Sequence, residues 1–291
     1  MIAATKGEKV FQSVLIVIMV LACIAFVYPV LNILAISLSG SQPILRGEIS
    51  FFPKELTFVG YEGVFSNVSI FRAFGNSIYV AVVGCILSLV MTGIAAYPMA
   101  FGDFYGKKFY SVFIVITMWF QAGLIPSFMV IKDLNLLDSH WALILNALCG
   151  AYNVIILRSF YNSIPDSVIE SARIDGANDI RIFFQIVIPL SKVAFATIAL
   201  WIIVAHWNDF FAPLMYLRTP TKYTLQIVLR DIIITSNMSN YDLAAGAEGS
   251  MALPAQVQNA VVFVSMVPML IIYPFLQKYF VKGVMLGSVK G

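Results

Sequence analysis

What most constrains this chain is the length of its apolar runs. They cover about residues 10–38, 76–100, 110–131, 141–157, 186–205 and 257–280. A bilayer hydrocarbon core about 30 Å thick needs roughly 20 helical residues to cross it, and most of these runs approach or exceed that. Their backbone must be satisfied internally. Continuous runs without short alternating strands select helices over a barrel. The composition agrees: of 291 residues 60% are hydrophobic and 11% charged, where soluble domains are about half apolar and a quarter charged. This excludes a disordered chain and a nucleic-acid binder, and it weighs against a soluble enzyme. The expectation is an all-α integral membrane protein of six transmembrane helices, forming one domain over residues 1–291.

The first run follows Lys6 and Lys9, exceeds the core of a signal peptide and lacks a small-residue cleavage site, so it reads as a retained span. With six spans both termini share a side. If that side is cytoplasmic, it holds Lys6, Lys9, Lys107, Lys108, Arg158, Arg173, Arg181, Lys192, Lys278, Lys282 and Lys290, against seven basic residues opposite. The positive-inside rule then favours cytoplasmic N- and C-termini. Two long outer segments are expected at about 39–75 and 218–256. Within the second, the Ser-, Asn-, Gly- and Ala-rich stretch 235–250 reads as a loop. Gly and Pro interrupt several spans at Pro29, Gly123 with Pro126, Gly150, Pro268 and Pro274; such breaks suit a transport pathway but are also ordinary in membrane helices.

The three cysteines, Cys23, Cys85 and Cys149, lie in apolar runs and read as packing residues. There is no phosphate-binding loop; Gly102 to Lys108 has the wrong spacing and no hydroxyl for magnesium. Nor is there a zinc-helix motif or a nucleophile elbow, and the two histidines are His140 and His206. Energy-driven work by such a chain requires a separate subunit that hydrolyses nucleotide.

The one long inner segment, about 158–185, carries the most information. Pro165 suits a first helical turn, and Ser167 with Glu170 has capping-box spacing. Helix-compatible residues reach Ile174, Asp175-Gly176 gives a break, and Asn178 or Asp179 can cap a second short helix bearing Ile182, Phe183 and Ile186. Two short helices at an angle result. They can seat in a groove of another protein, or they can be an amphipathic loop that only tethers two spans.

Glu170-Ser171-Ala172, then Gly176, then Ile188-Pro189, resembles the E-A-A, G, I-x-L-P signature of ABC importer permeases. Ser171 replaces the usual second residue, and Val187 and Ile188 stand where the pattern varies among aliphatics. Ile164-Pro165, Asp175-Gly176-Ala177, Leu190-Ser191, Trp207 to Phe210 with Pro213-Leu214, and the ending Val281 to Gly291 are similar to the carbohydrate-uptake branch, nearest the maltose-type second permease and its oligosaccharide or alginate-like relatives. The likeness runs from about Asn76 onward, with a core permease region of about 72–280. It implies a coupling-helix pair between spans four and five, within 161–189, seated in a cleft of an ATP-binding subunit. Glu170, Ser171, Ala172, Asp175, Gly176, Ala177 and Pro189 are its coupling residues, and the tail around Lys290 is a second contact. It also implies a second permease, two ATP-binding cassette subunits that bind ATP and magnesium, an extracytoplasmic sugar-binding protein, and a place in the bacterial cytoplasmic membrane. The chain itself would be no enzyme and hold no cofactor or metal.

Sugars are held by aromatic faces and hydrogen-bonding groups, which marks Trp119, Gln121, Asn146, Tyr152, Asn153, Trp207, Asn208 and Asp209 as candidate path-lining residues. Asp209 is an ionisable group at the outer end of span five, expensive there and so a functional candidate; an interfacial structural role is equally open. An ion-coupled secondary transporter would call for mid-membrane carboxylates and inverted repeats, and a non-transporting scaffold is the other alternative.

Overall fold

The computed structural model describes residues 6–102, 104–120, 122–244 and 254–288, with side chains for 7–102, 104–120, 122–234 and 255–274. Among these residues there is no strand. The helices in order are α1 (Lys6–Ser37), α2 (Ser41–Leu45), α3 (Val59–Ser66), α4 (Val68–Phe101), α5 (Lys107–Trp119), α6 (Leu124–Asp133), α7 (His140–Asn146) and α8 (Ala151–Tyr161). There follow α9 (Asp166–Ile174), α10 (Asp179–Ile182), a π-helical turn (Phe183–Val187), α11 (Ile188–Leu190), α12 (Lys192–Asn208), α13 (Phe211–Tyr216), a 3₁₀ turn (Pro220–Lys222), α14 (Leu225–Ala244) and α15 (Pro254–Ser288).

Among the described residues, three helical stretches are individually long and apolar enough to cross a membrane: Gly7–Ser37, Val68–Phe101 and Ala255–Pro274. Three further pairs reach that length only across a bend. These are α5 with α6 at 112°, α7 with α8 at 50°, and Asp179–Leu190 with α12 at 80°. The glycines mark real breaks, since Gly123 and Gly150 stand at the N-caps of α6 and α8. Pro29, Pro268 and Pro274 lie inside continuous helices, and Pro126 sits in the first turn of α6, where its missing N–H costs nothing. Two expectations need correcting. The stretch 235–250 is not loop throughout, because α14 continues to Ala244 and only 245–250 lie outside the described residues. The fifth apolar run is also not one straight helix from Ile186: the chain reaches Leu190 in one direction and bends by 80° at Ser191 before α12.

The chain divides into two compact units. The first, Met1–Ile70 with Leu229–Pro268, holds α1, whose large apolar side chains from Val10 to Val27 are exposed on every side, as suits a helix immersed in lipid. Its tight end is the turn after α1. Ser39 Oγ donates to Ala35 O and accepts from Lys54 N, and the Gln256 side-chain amide donates to Ser39 O. Gly60 allows α3 to meet the start of α15, since a Cβ there would stand 2.9 Å from Gln256 O.

The second unit, Phe71–Val228 with Met269–Gly291, is built around α4 and has two apolar cores. One gathers Ala96, Met99, Leu157, Tyr161, Ile182 and Ile198 from α4, α8, α10 and α12. Gly93 makes this possible: a Cβ would lie 3.1 Å from Phe183 Cζ and 3.2 Å from Phe195 Cζ. The other joins Val80, Ile131, Ile144, Tyr216 and Ile227. Ser77 and Tyr97, at the two ends, are twenty residues apart on one helix, about 30 Å at 1.5 Å per residue, the thickness of a bilayer core.

Candidate functional site

The segment that follows α8 turns back on the first core of the second unit. In α9, Ile169 and Ala172 are buried at i, i+3 spacing, while Glu170, Ser171, Arg173 and Ile174 stay exposed; Ile174 is 86% exposed. The capping box expected of Ser167 is not formed. Helix α9 begins at Asp166 with Pro165 as its N-cap, so Ser167 lies inside the helix and its carbonyl accepts from Ser171 Oγ at 2.7 Å.

The end of α9 is a Schellman turn. Ala177 N donates to Ala172 O at 2.9 Å and Gly176 N to Arg173 O at 3.0 Å, with Gly176 at φ 79°. This left-handed position is why glycine stands here. Asn178 then caps α10, its Oδ1 accepting from Arg181 N at 2.8 Å. The next residues, Phe183–Val187, open into a π-helical turn, a feature frequent at functional sites.

The seven candidate coupling residues therefore divide by surroundings. Glu170, Ser171, Asp175, Gly176 and Pro189 are exposed, and nothing lies within 4 Å of a Cβ added at Gly176. Ala172 is buried and Ala177 half-buried, both packed on the chain's own core, so the close approach that their small side chains allow is to this chain. The same segment exposes two apolar side chains that spacing alone did not single out, Ile180 (70% exposed) and Phe184. One further tie was missed. Asp179 Oδ1 accepts from Arg173 Nη2 at 3.4 Å, across the elbow, and from Tyr97 Oη of α4 at 3.0 Å. Its only signal in the sequence was a tyrosine near the end of an apolar run.

The candidate path residues lie on several elements, three of them at breaks. Trp119 ends α5, is 80% exposed and precedes the 112° bend; Asn146 ends α7 before the 50° bend; Asn208 ends α12. Tyr152 is exposed with its ring 5.8 Å from Trp201, and Asn153 beside it is half-buried. Trp207 is buried, edge-on to Phe74 at 5.5 Å, and its carbonyl accepts from Gln226 Nε2. Asp209 Oδ1 accepts from Phe211 N at 3.0 Å and Ala212 N at 3.1 Å, so its carboxylate caps the start of α13. Gln121 and Lys290 lie outside the described residues.

At the other end of α4 the loops are tied down. Asp138, between α6 and α7, accepts from Arg218 N and Thr219 N at 3.0 Å, from Thr219 Oγ1 at 2.7 Å and from Lys222 Nζ at 2.9 Å. These bonds, the Thr219 hydroxyl foremost, hold its carboxyl well below the usual carboxylate range. His140 Nε2 donates to Lys222 O at 2.8 Å. From α4, Asn76 Nδ2 donates to Thr221 O and Tyr223 O, and Ser77 Oγ accepts from Leu225 N.

Comparison with known proteins gives this architecture its context. The chain is 36% identical to the polygalacturonan/rhamnogalacturonan transport system permease protein of Bacillus subtilis (strain 168), over 98% of this chain and 99% of that one. It is 31% identical to an arabinooligosaccharides transport system permease protein of Halalkalibacterium halodurans, over 93% and 94%. A crystal structure of a bacterial ABC transporter involved in the import of the acidic polysaccharide alginate contains a chain that superposes with a TM-score of 0.88 at 30% identity, covering 96% of this chain and 100% of that one. Residues 74–286 match the binding-protein-dependent transport system inner membrane components. With the matched region running from within α4 through the turn at Gly176 and into α15, the chain belongs to that family.

Proposed function

We propose that this chain is a permease subunit of a binding-protein-dependent ABC importer, forming half of a pathway for an oligosaccharide or polysaccharide. The observation that carries this is the exposed elbow at Gly176, set on a buried apolar seat. Among the described residues the carboxylates of Glu170 and Asp175 have no ion-pair or hydrogen-bond partner within the chain. Together with the exposed Ile174, Ile180 and Phe184 of the same segment, they offer a partner an apolar knob with acidic groups. An ATP-binding cassette subunit with an apolar groove and basic groups at its edge fits that surface. ATP and its magnesium are held there, not in this chain.

Each bent pair counts as one span in this reading, giving six spans with both termini and the elbow on the cytoplasmic side. The Asp138 loops are then extracytoplasmic, where a sugar-binding protein docks. A second permease completes the pathway. The bends after Trp119 and Asn146 free backbone groups at membrane depth, which lipid cannot satisfy. Facing a water-filled path satisfies them, and it places Trp119, Asn146 and Tyr152 where a sugar can stack and hydrogen-bond. Relatives named for polygalacturonan, arabinooligosaccharides and alginate support a saccharide cargo.

The test is reconstitution of both permeases with the ATP-binding subunits in vesicles. Liganded binding protein should stimulate ATP hydrolysis, and the saccharide should accumulate inside only when the ATP-binding subunits are present. Accumulation by the permeases alone would replace this reading with ion-coupled transport.

A further inference from the structure

We infer that Asp179 keys the coupling elbow to α4, with Tyr97 as its partner on that helix, so that α4 is the rod carrying elbow motion across the membrane. The inference rests on the elbow being the segment that the ATP-binding subunit moves, and it concerns what happens to that motion next. Helices α9 and α10 have nine and four residues, too short to hold their mutual angle by themselves. Their junction at Gly176 has open space around it. Side chains must therefore fix the angle.

The inner side is fixed by burial of Ala172 and Ile182. On the exposed side, a single oxygen, Asp179 Oδ1, receives Arg173 from one helix of the elbow and Tyr97 from α4. The Arg173–Asp179 pair is half-exposed or more on both sides, so its own contribution is small. Tyr97 is the stronger half, because its ring is already placed. It stands edge-on to Phe183 of the π-helical turn at 5.5 Å and tilted on Phe101 at 5.4 Å, and Phe101 stacks on Tyr161 at 6.0 Å. The phenol is thus held against the π-helical turn directly and against α8 through Phe101, leaving its hydroxyl aimed at Asp179.

The other end of the same helix carries Asn76 and Ser77, which hold the loop from Thr221 to Leu225. One continuous helix therefore touches the elbow at Tyr97 and the opposite loop at Asn76, about 30 Å away. Tyr97 and Asp179 are positioning residues: they set where the elbow pushes and make no contact with nucleotide or cargo.

The experiment uses the whole reconstituted importer and reads saccharide imported per ATP hydrolysed, together with thermal stability and complex yield. Tyr97→Phe keeps the rings and removes the hydroxyl; Asp179→Ala removes the acceptor; Asp179→Asn keeps an acceptor oxygen. Tyr97→Phe and Asp179→Ala should lower the ratio by about threefold, the scale of one lost hydrogen bond, with assembly and melting temperature unchanged. Asp179→Asn should stay near wild type. A wild-type ratio in both Tyr97→Phe and Asp179→Ala overturns the inference, and so does an Asp179→Asn ratio as low as that of Asp179→Ala. A wild-type importer whose ATP hydrolysis ignores liganded binding protein would instead sink the reading on which it rests.

Discussion

The two ends of α4 solve opposite problems with the same kind of residue. At one end Asp138 spends its carboxylate on two backbone amides, a hydroxyl and a lysine, and two loops are tied into one piece. At the other, Glu170 and Asp175 stand exposed beside Ile174, on helices whose buried side is wholly apolar. Polar groups consumed internally make a fixed platform, whereas polar groups left over are what the proposed reading gives to a partner. The difference shows that charge in a membrane protein is informative only once its partners are known.

The sharpest way to break this comparison is to remove one carboxylate from each end. Asp138→Ala strips four hydrogen bonds from partly buried loops and should cost about 3 kcal/mol, since bonds to charged groups contribute roughly 1.5–3 each but add incompletely. Thermal unfolding of the purified complex, with proteolysis around residues 218–223, reads this. Glu170→Ala should leave stability within about 0.5 kcal/mol, as for most exposed substitutions, and should instead reduce stimulation of ATP hydrolysis by liganded binding protein.

A series at Gly176 comes next in size. Nothing in the chain lies near a Cβ there, so a substitution suffers from the left-handed φ and not from crowding. Gly176→Ala should cost about 1 kcal/mol, and Gly176→Asn less, because Asn tolerates that conformation. Gly176→Leu carries the backbone strain of Ala plus bulk. Any excess loss of stimulated ATP hydrolysis in Leu over Ala therefore measures a partner's wall, and equal losses would mean that no groove closes on the elbow.

The smallest effect is with pH. The folded carboxyl of Asp138 titrates below its ordinary value of 3.8, so its contribution is fully present above that value and is lost as pH falls through the lowered one. The difference in melting temperature between wild type and Asp138→Asn should stay constant from about pH 7 to 5 and shrink only below about pH 4. A difference that vanished near neutrality would show that the clasp is not held by an ionised Asp138.

Much of the molecule was legible in the sequence because membrane solvation writes itself into long apolar runs. Gly123, Gly150 and Gly176 marked three breaks correctly, since each stands at a helix end. Asn178 was legible as a cap because its side chain acts within three residues. What was not legible depends on distant partners. The turn at Ser191 follows a π-helical turn packed on α4 through Gly93; Pro189 marks a local weakness there but not the 80° angle. Asp209 accepts from the amides of Phe211 and Ala212, a cap that no motif around it announces. Tyr97 and Asp179 are 82 residues apart, and Asp138 and Lys222 are 84 apart, so neither tie has a spacing that sequence can show.

The account turns on motion entering through the exposed elbow from a subunit that supplies the energy. The direct measurement replaces the native Cys23, Cys85 and Cys149 and introduces Ile174→Cys into the assembled importer in sealed membrane vesicles. A short bifunctional reagent should join position 174 to the ATP-binding subunit, and an impermeant thiol reagent added from the extracytoplasmic side should leave it unlabelled. Labelling from that side, or cross-linking to the sugar-binding protein, would contradict the account.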